Sequence, residues 1–144
     1  MSEIKLPKDF QEIAIMASEP LKGYTPIQMR EMASKYHSDE ALAAIYASVS
    51  NKTGWLGHDI GEPENDEETN NRLKKEHEEW WTLEKELYAE IVCRLQRENA
   101  EKGTTHITTG KGMWYIAKPF MERNGFKDGA GWWVNSDLRE RRKK

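Results

Sequence analysis

Residues Gly112 to Val134 read GMWYIAKPFMERNGFKDGAGWWV, and the structure assigned to them decides whether the chain is all-helical or mixed. The stretch holds three of the six tryptophans, two of the three phenylalanines and four of the ten glycines. Such a mixture of rings and free backbone closes a core or forms a binding surface. Met113 to Ala117 is ring-rich and follows the turn-forming Gly110-Lys111-Gly112, so it reads as a strand pairing back on Thr104 to Thr108. Pro119 then opens a short helix, Phe120 to Asn124, which Gly125 stops. A further turn leads to a third short strand, Trp132 to Val134. One continuous helix from Gly112 to Asn124 is the competing reading. Pro119 opposes it, because proline removes a helix hydrogen bond and clashes with the preceding turn.

Upstream the pattern is helical. Phe10, Ile13, Ala14 and Ala17 make one stripe after Pro7. Thr25-Pro26-Ile27-Gln28 combines a cap, a first-turn proline and a capping-box glutamine, and predicts a helix to about Tyr36 with Met29, Met32, Ala33 and Tyr36 inward. Ser38 caps a third helix, Asp39 to Ser50, with Leu42, Ile45, Tyr46 and Val49 as its stripe. Gly54, Gly57, Gly61 and Pro63 make Asn51 to Asn65 a loop, with Trp55, Leu56 and Ile60 folding back on the core. Asp66 to about Lys102 is the longest helical segment. Trp80, Leu83, Leu87, Ile91 and Leu95 recur every three or four residues along it, and Glu90–Arg94 forms an i,i+4 pair. The expected fold is therefore α+β and predominantly α: a compact helical body with one long central helix and a small C-terminal β hairpin or meander. One globular domain is expected over residues 1–134, with a basic, flexible tail over 135–144.

Composition restricts the functions open to it. The chain has 144 residues, one domain's worth, with a formal net charge of −3. That balance argues against non-specific nucleic-acid binding by the whole body, which needs an excess of Lys and Arg. Cys93 is the single cysteine, so no disulfide forms within the chain; it is expected to be a small buried residue in a reducing compartment. No apolar run is long enough to span a bilayer and the N-terminus lacks a signal-peptide core, so no membrane and a cytoplasmic location are expected.

Charge is uneven along the chain. From His58 to Glu79 there are nine acids against three bases, whereas Asn135 to Lys144 carries five bases against two acids. Each is explained by a solvated face or tail. Each also suits a partner: a basic protein for the acidic run, or phosphates for the tail.

No catalytic set assembles from local motifs. Gly110-Lys111-Gly112 is not a phosphate-binding loop, which needs Gly-x-x-x-x-Gly-Lys-Ser/Thr. His106 stands alone, and His77 has no second histidine one turn away. The helix pair within Pro26 to Ser50 has helix-turn-helix spacing. Its second helix lacks Arg, Lys, Gln or Asn at the positions that would read bases, and core packing explains it better.

One string does resemble a known signature. Leu56-Gly57-His58-Asp59-Ile60-Gly61 is similar to the His-Asp motif of the HD phosphohydrolase superfamily. The resemblance implies an all-helical enzyme that holds a divalent metal with adjacent His and Asp plus separate His and Asp. On it, His58 and Asp59 are metal ligands, His37 is the earlier histidine, His77 lies downstream, and Asp128 or Asp137 closes the set. Bound metal would activate water for attack on phosphate.

The reading favoured over that one is a non-enzymatic protein-interaction module, adaptor-like or inhibitor-like, without a cofactor. Its partner would be another protein with a basic or apolar surface. The expected contact residues are Trp132, Trp133, Arg123 and Phe126 from the aromatic C-terminal surface, with Asp59, Glu62 and Glu64 from the acidic patch. A nucleic-acid-binding accessory role, led by Arg139, Arg141, Arg142, Lys143 and Lys144, is the third possibility. Within Gly112–Val134, the residues Trp114, Tyr115, Ile116 and Phe120 are expected against the Trp80 to Leu95 face. Trp132 and Trp133 are neighbours on a strand, so one ring can be buried while the other is left outward.

Overall fold

A computed structural model describes residues 24–101, 113–128 and 133–134. These residues form four helices: α1 (Pro26–Lys35), α2 (Asp39–Asp59), α3 (Glu67–Glu101) and α4 (Met113–Arg123). The N-terminal stripe around Phe10, the Thr104–Thr108 segment, Trp132 and the basic tail all lie outside the described residues.

The centre of the fold is α2 and not the longest helix. Ser38 caps it, its hydroxyl accepting from the Ala41 N–H at 3.1 Å, and every residue from Ala41 to Val49 is buried. A helix buried on all sides must be covered on all sides. Four alanines between 41 and 49 (Ala41, Ala43, Ala44 and Ala47) keep the helix narrow enough for close packing. The long helix α3 is amphipathic instead. Trp80, Leu83, Leu87 and Ile91 are buried along one stripe and Leu73, Tyr88 and Leu95 flank it.

The expected loop from Asn51 is largely helix, because α2 runs through Gly54 and Gly57 to Asp59. Each glycine costs a helix roughly 1 kcal/mol relative to alanine. Tertiary burial outweighs this: Asn51, Thr53 and Leu56 are all buried, and one leucine alone contributes about 1.5–3 kcal/mol. Trp55 does not fold back on the core; it stays exposed. An alanine β-carbon at position 57 would lie 3.5 Å from His77 Nε2, an ordinary contact. Gly57→Ala is therefore expected to raise stability by about 0.5–1 kcal/mol in urea unfolding. A loss instead would mean that α2 and α3 approach more closely there than ordinary contact allows.

The turn into α3 is held by two asparagines. Asn65 Nδ2 donates to the Asp59 carbonyl at 2.7 Å, and Asn70 Oδ1 accepts from the Gly61 N–H at 3.0 Å. Gly61, at φ +84°, supplies the left-handed residue. Asp66 Oδ1 accepts from the Thr69 N–H at 2.7 Å, and Thr69, through its hydroxyl and its N–H, holds the Asp66 carboxyl below the usual range. Helices α2 and α3 then run antiparallel. Gly57 meets His77, Ser50 and Thr53 meet Glu84, and Asp39 pairs with Arg94 at 2.8 Å, one number falling as the other rises.

Helix α1 follows its sequence signals. Thr25 Oγ1 accepts from the Gln28 N–H, Gln28 Oε1 accepts from the Thr25 N–H at 2.9 Å, and Met29 and Met32 are buried. Cys93 is exposed, contrary to its expected burial, since it lies off the stripe that carries Ile91 and Leu95.

The C-terminal stretch overturns the mixed fold class. Met113 to Ala117 is not a strand; it begins α4, which continues through Pro119 to Arg123. Ala117, Phe120 and Met121 are fully buried at helical spacing, so packing of one face compensates the bond that Pro119 cannot make. Gly125 ends the helix as expected. It has φ +93°, its N–H bonds the Glu122 carbonyl and the Phe126 N–H bonds the Met121 carbonyl, a Schellman stop with Met121 and Phe126 both buried. The extended structure left is a ladder of two residues a side, Lys127–Asp128 against Trp133–Val134. Two residues make no sheet layer beside a usual strand of about five or six. The expected β hairpin or meander is not seen, and the described fold is predominantly helical.

Candidate interaction face

The expected aromatic surface at the C-terminus is not a surface at two of its positions. Trp133 and Phe126 are 0 % exposed and belong to the hydrophobic core. Asn51 explains how Trp133 is held: its Nδ2 donates to the Trp133 carbonyl and its Oδ1 accepts from the Trp133 N–H, both at 2.9 Å. Arg123 is engaged as well. Its guanidinium makes a two-pronged bond to Glu98 at 2.8 and 2.9 Å and sits 5.3 Å from the Phe120 ring centre, tying α4 to α3.

Exposed rings occur elsewhere. Trp55 on α2 is 41 % exposed and Trp81 on α3 is 45 % exposed. Each is held by a histidine of its own helix. The Trp55 and His58 rings meet edge-on at 6.4 Å, and the His77 and Trp81 rings are 6.1 Å apart. Between the helices, His77 lies against Gly57. Lys85 places its ammonium 4.6 Å over the Trp81 ring, so this ring already faces a cation. His58, Asp59 and Glu62 follow at the end of α2, with His58 Nδ1 3.8 Å from Asp59 and 3.6 Å from Glu62. Glu64 is exposed in the adjoining turn. Glu78 and Glu79 of the same acidic run line a separate hollow beside Pro26 and Ile27.

The sequence reading gives Trp81 no role and finds no second histidine one turn from His77. The signal was present in Trp80-Trp81. Neighbours on a helix point about 100° apart, so a helix that buries Trp80 in a narrow stripe turns Trp81 away from it.

The metal set implied by the His-Asp resemblance is not brought together. His37 precedes α2 and His58 lies in its last turn, so the helix separates them by roughly 30 Å. Among the described residues no group of three His, Cys, Asp or Glu side chains could hold a metal. Asp137 and the basic residues 139–144 lie outside the described part, as does Trp132.

One polar seam runs behind this face. Burial raises the Glu84 carboxyl above its ordinary 4.5, against the hydroxyls of Ser50 and Thr53, which favour its charge. Beside it, burial first and the Glu84 charge second push the Tyr46 hydroxyl up. Thr53 has one hydroxyl proton and donates it to the Val49 carbonyl at 2.9 Å. Burial thus makes the folded chain hold the Glu84 proton more tightly than the unfolded chain does. The resulting stability is complete below pH 4.5 and is lost as pH rises through the folded value. Glu84→Gln stays neutral throughout. Its Tm relative to the parent is expected to climb between pH 4 and pH 8, and parallel Tm profiles would refute the perturbed carboxyl.

Among the described residues no helix is long and apolar enough to cross a membrane. Comparison with known proteins gives no match: no family model, no curated protein and no solved structure is similar to this chain.

Proposed function

We propose that this protein is a non-enzymatic interaction module that binds a basic segment of another protein. The proposed contact residues are Trp55 and His58 at the end of α2, with Asp59, Glu62 and Glu64 beside them, and His77 and Trp81 on α3. The observation that carries the reading is the exposure of two tryptophans on adjacent antiparallel helices, beside the acidic end of α2. Tryptophan is enriched where interfaces concentrate their energy. An arginine or lysine over an exposed ring gains about 0.5–1 kcal/mol, and more once water is excluded. Carboxylates at the rim steer a basic partner and set its orientation. The lone cysteine of the chain is an exposed thiol, which suits a reducing compartment, and we place the protein in the cytoplasm.

Nona-arginine serves as a probe. The parent is expected to bind it with a salt-dependent affinity that falls at least tenfold in the Trp55→Ala/Trp81→Ala double variant. The Tm should shift by no more than a few degrees, since exposed positions contribute little to stability. Equal binding by parent and double variant would defeat the proposal.

A further inference from the structure

We propose that Asn124 is a masked self-modification site: the stop of α4 holds off its deamidation, and the iso-aspartyl product cannot rebuild that stop. This inference is independent of the interaction surface proposed above.

The chemistry is carried by two neighbours. Asn124-Gly125 is the one Asn-Gly pair in the chain. Asparagine amides are labile, and a glycine in the next position places no β-carbon in the way of attack by its own nitrogen. That nitrogen, having lost its proton to hydroxide, bonds the side-chain carbonyl carbon of Asn124. The bond to the amide nitrogen breaks, and ammonia leaves with a proton taken from water. Water then opens the cyclic imide at either of its carbonyls. One product carries an ordinary aspartyl residue. In the other, the iso-aspartyl form, the main chain runs through the former side-chain carbonyl. Water and hydroxide complete the balance.

The fold ties up both reacting groups. Asn124 Nδ2 donates to the Phe120 carbonyl at 2.8 Å, so the side chain points back along α4, away from Gly125. The Gly125 N–H donates to the Glu122 carbonyl at 3.1 Å, and the Phe126 N–H donates to the Met121 carbonyl at 2.9 Å. Phe126 and Met121 are both fully buried, which clamps the turn from the inside. Attack needs the Gly125 nitrogen free and the Asn124 side chain turned toward it. Reaction therefore passes through an opened last turn of α4, and its rate follows the population of that opening.

The products fit the stop badly. A carboxylate presents only lone pairs to the Phe120 carbonyl. It also adds negative charge at the carbonyl pole of α4, where the helix disfavours it. The iso-aspartyl link goes further, because it adds a main-chain atom between Asn124 and Gly125. The residue spacing on which both stop bonds depend is then lost. Phe126 leads directly into Lys127–Asp128, which pairs with Trp133–Val134. Damage at the stop is thereby passed to the segment that Asn51 holds through Trp133. Chains modified at Asn124 are those whose α4 end has opened.

The test ages the full chain at mildly alkaline pH, folded and unfolded in guanidinium chloride. The tryptic peptide from Asn124 to Lys127 is then read by mass spectrometry. Deamidation is expected to be at least about a hundredfold slower in the folded chain, since hydrogen bonds and a buried ring must first give way. Phe126→Leu should speed the folded-state reaction about tenfold by loosening the stop. Trp81→Ala, at an exposed position of α3, should leave it unchanged. The purified iso-aspartyl chain, returned to native buffer, should exchange its Phe126 amide at least about tenfold faster than the parent. Both comparisons are made while the Ile45 amide stays protected, so that they report the end of α4 and not global unfolding. Equal rates in the folded and unfolded chain, or no reaction in the unfolded chain, overturn the proposal. Unchanged Phe126 exchange in the iso-aspartyl chain also overturns it, because the stop would then have re-formed.

Discussion

Trp133→Ala is expected to lower the free energy of unfolding by about 3–5 kcal/mol, the usual cost of deleting a large buried ring. Trp133 heads the fully buried side chains by size, and it shares one core with Phe120, Phe126 and the Ala43–Val49 part of α2. At roughly 2–4 °C per kcal/mol for a chain of this size, the midpoint should fall by about 6–20 °C. Trp133→Phe, which leaves a smaller cavity, should recover much of the loss. A midpoint shift of under 2 °C for the alanine variant would mean that the segment after Gly125 is not part of the cooperative unit.

Asn51→Ala should cost about 2–4 kcal/mol for a different reason. It strands two buried backbone groups of Trp133, each worth about 1–3 kcal/mol when left without a partner. Asn51→Asp is expected to be nearly as damaging, since a carboxylate can accept from the Trp133 N–H but presents only lone pairs to its carbonyl. The double variant is informative. If the indole is what holds the segment on α2, then Asn51→Ala should add little once Trp133→Ala has released it. Additive losses would show that the backbone bonds dock the segment without the ring. Urea unfolding of the four proteins completes the cycle.

Several parts of the molecule could be read from local chemistry. The capping box at Thr25, the Ser38 cap, the Trp80–Ile91 stripe and the Gly125 stop all depend on residues within a turn or two of each other. Each reading therefore needed no knowledge of what lay across the core. Where the outcome depended on a distant partner, local rules misled. Gly54 and Gly57 argued for a loop, yet burial of Thr53 and Leu56 and the bonds from Asn51 to Trp133, 82 residues away, accompany a helix to Asp59. Pro119 argued for a break, yet the buried Ala117-Phe120-Met121 face lies across it without one.

The candidate face divides in the same way. Its acidic border, Asp59, Glu62 and Glu64, was visible as charge along the chain. Its rings are not: ring density along the chain points to Trp132 and Trp133, of which Trp133 is core, whereas the exposed Trp81 sits in a helix whose stripe buries its neighbour Trp80.

By itself, the sequence determined the helical character of the body, the start of α1 and α2, the inward stripe of α3, and the unequal distribution of charge. These follow from periodicity, capping and composition, which act over a few residues. Only the tertiary structure decided that α2 and not α3 is the buried centre, that Met113–Arg123 is one helix, and which tryptophans face water. Those outcomes turn on how much apolar surface each alternative buries against elements far away in the chain. That burial, at about 25 cal/mol per Å², outweighs the roughly 1 kcal/mol preferences by which a glycine signals its local structure.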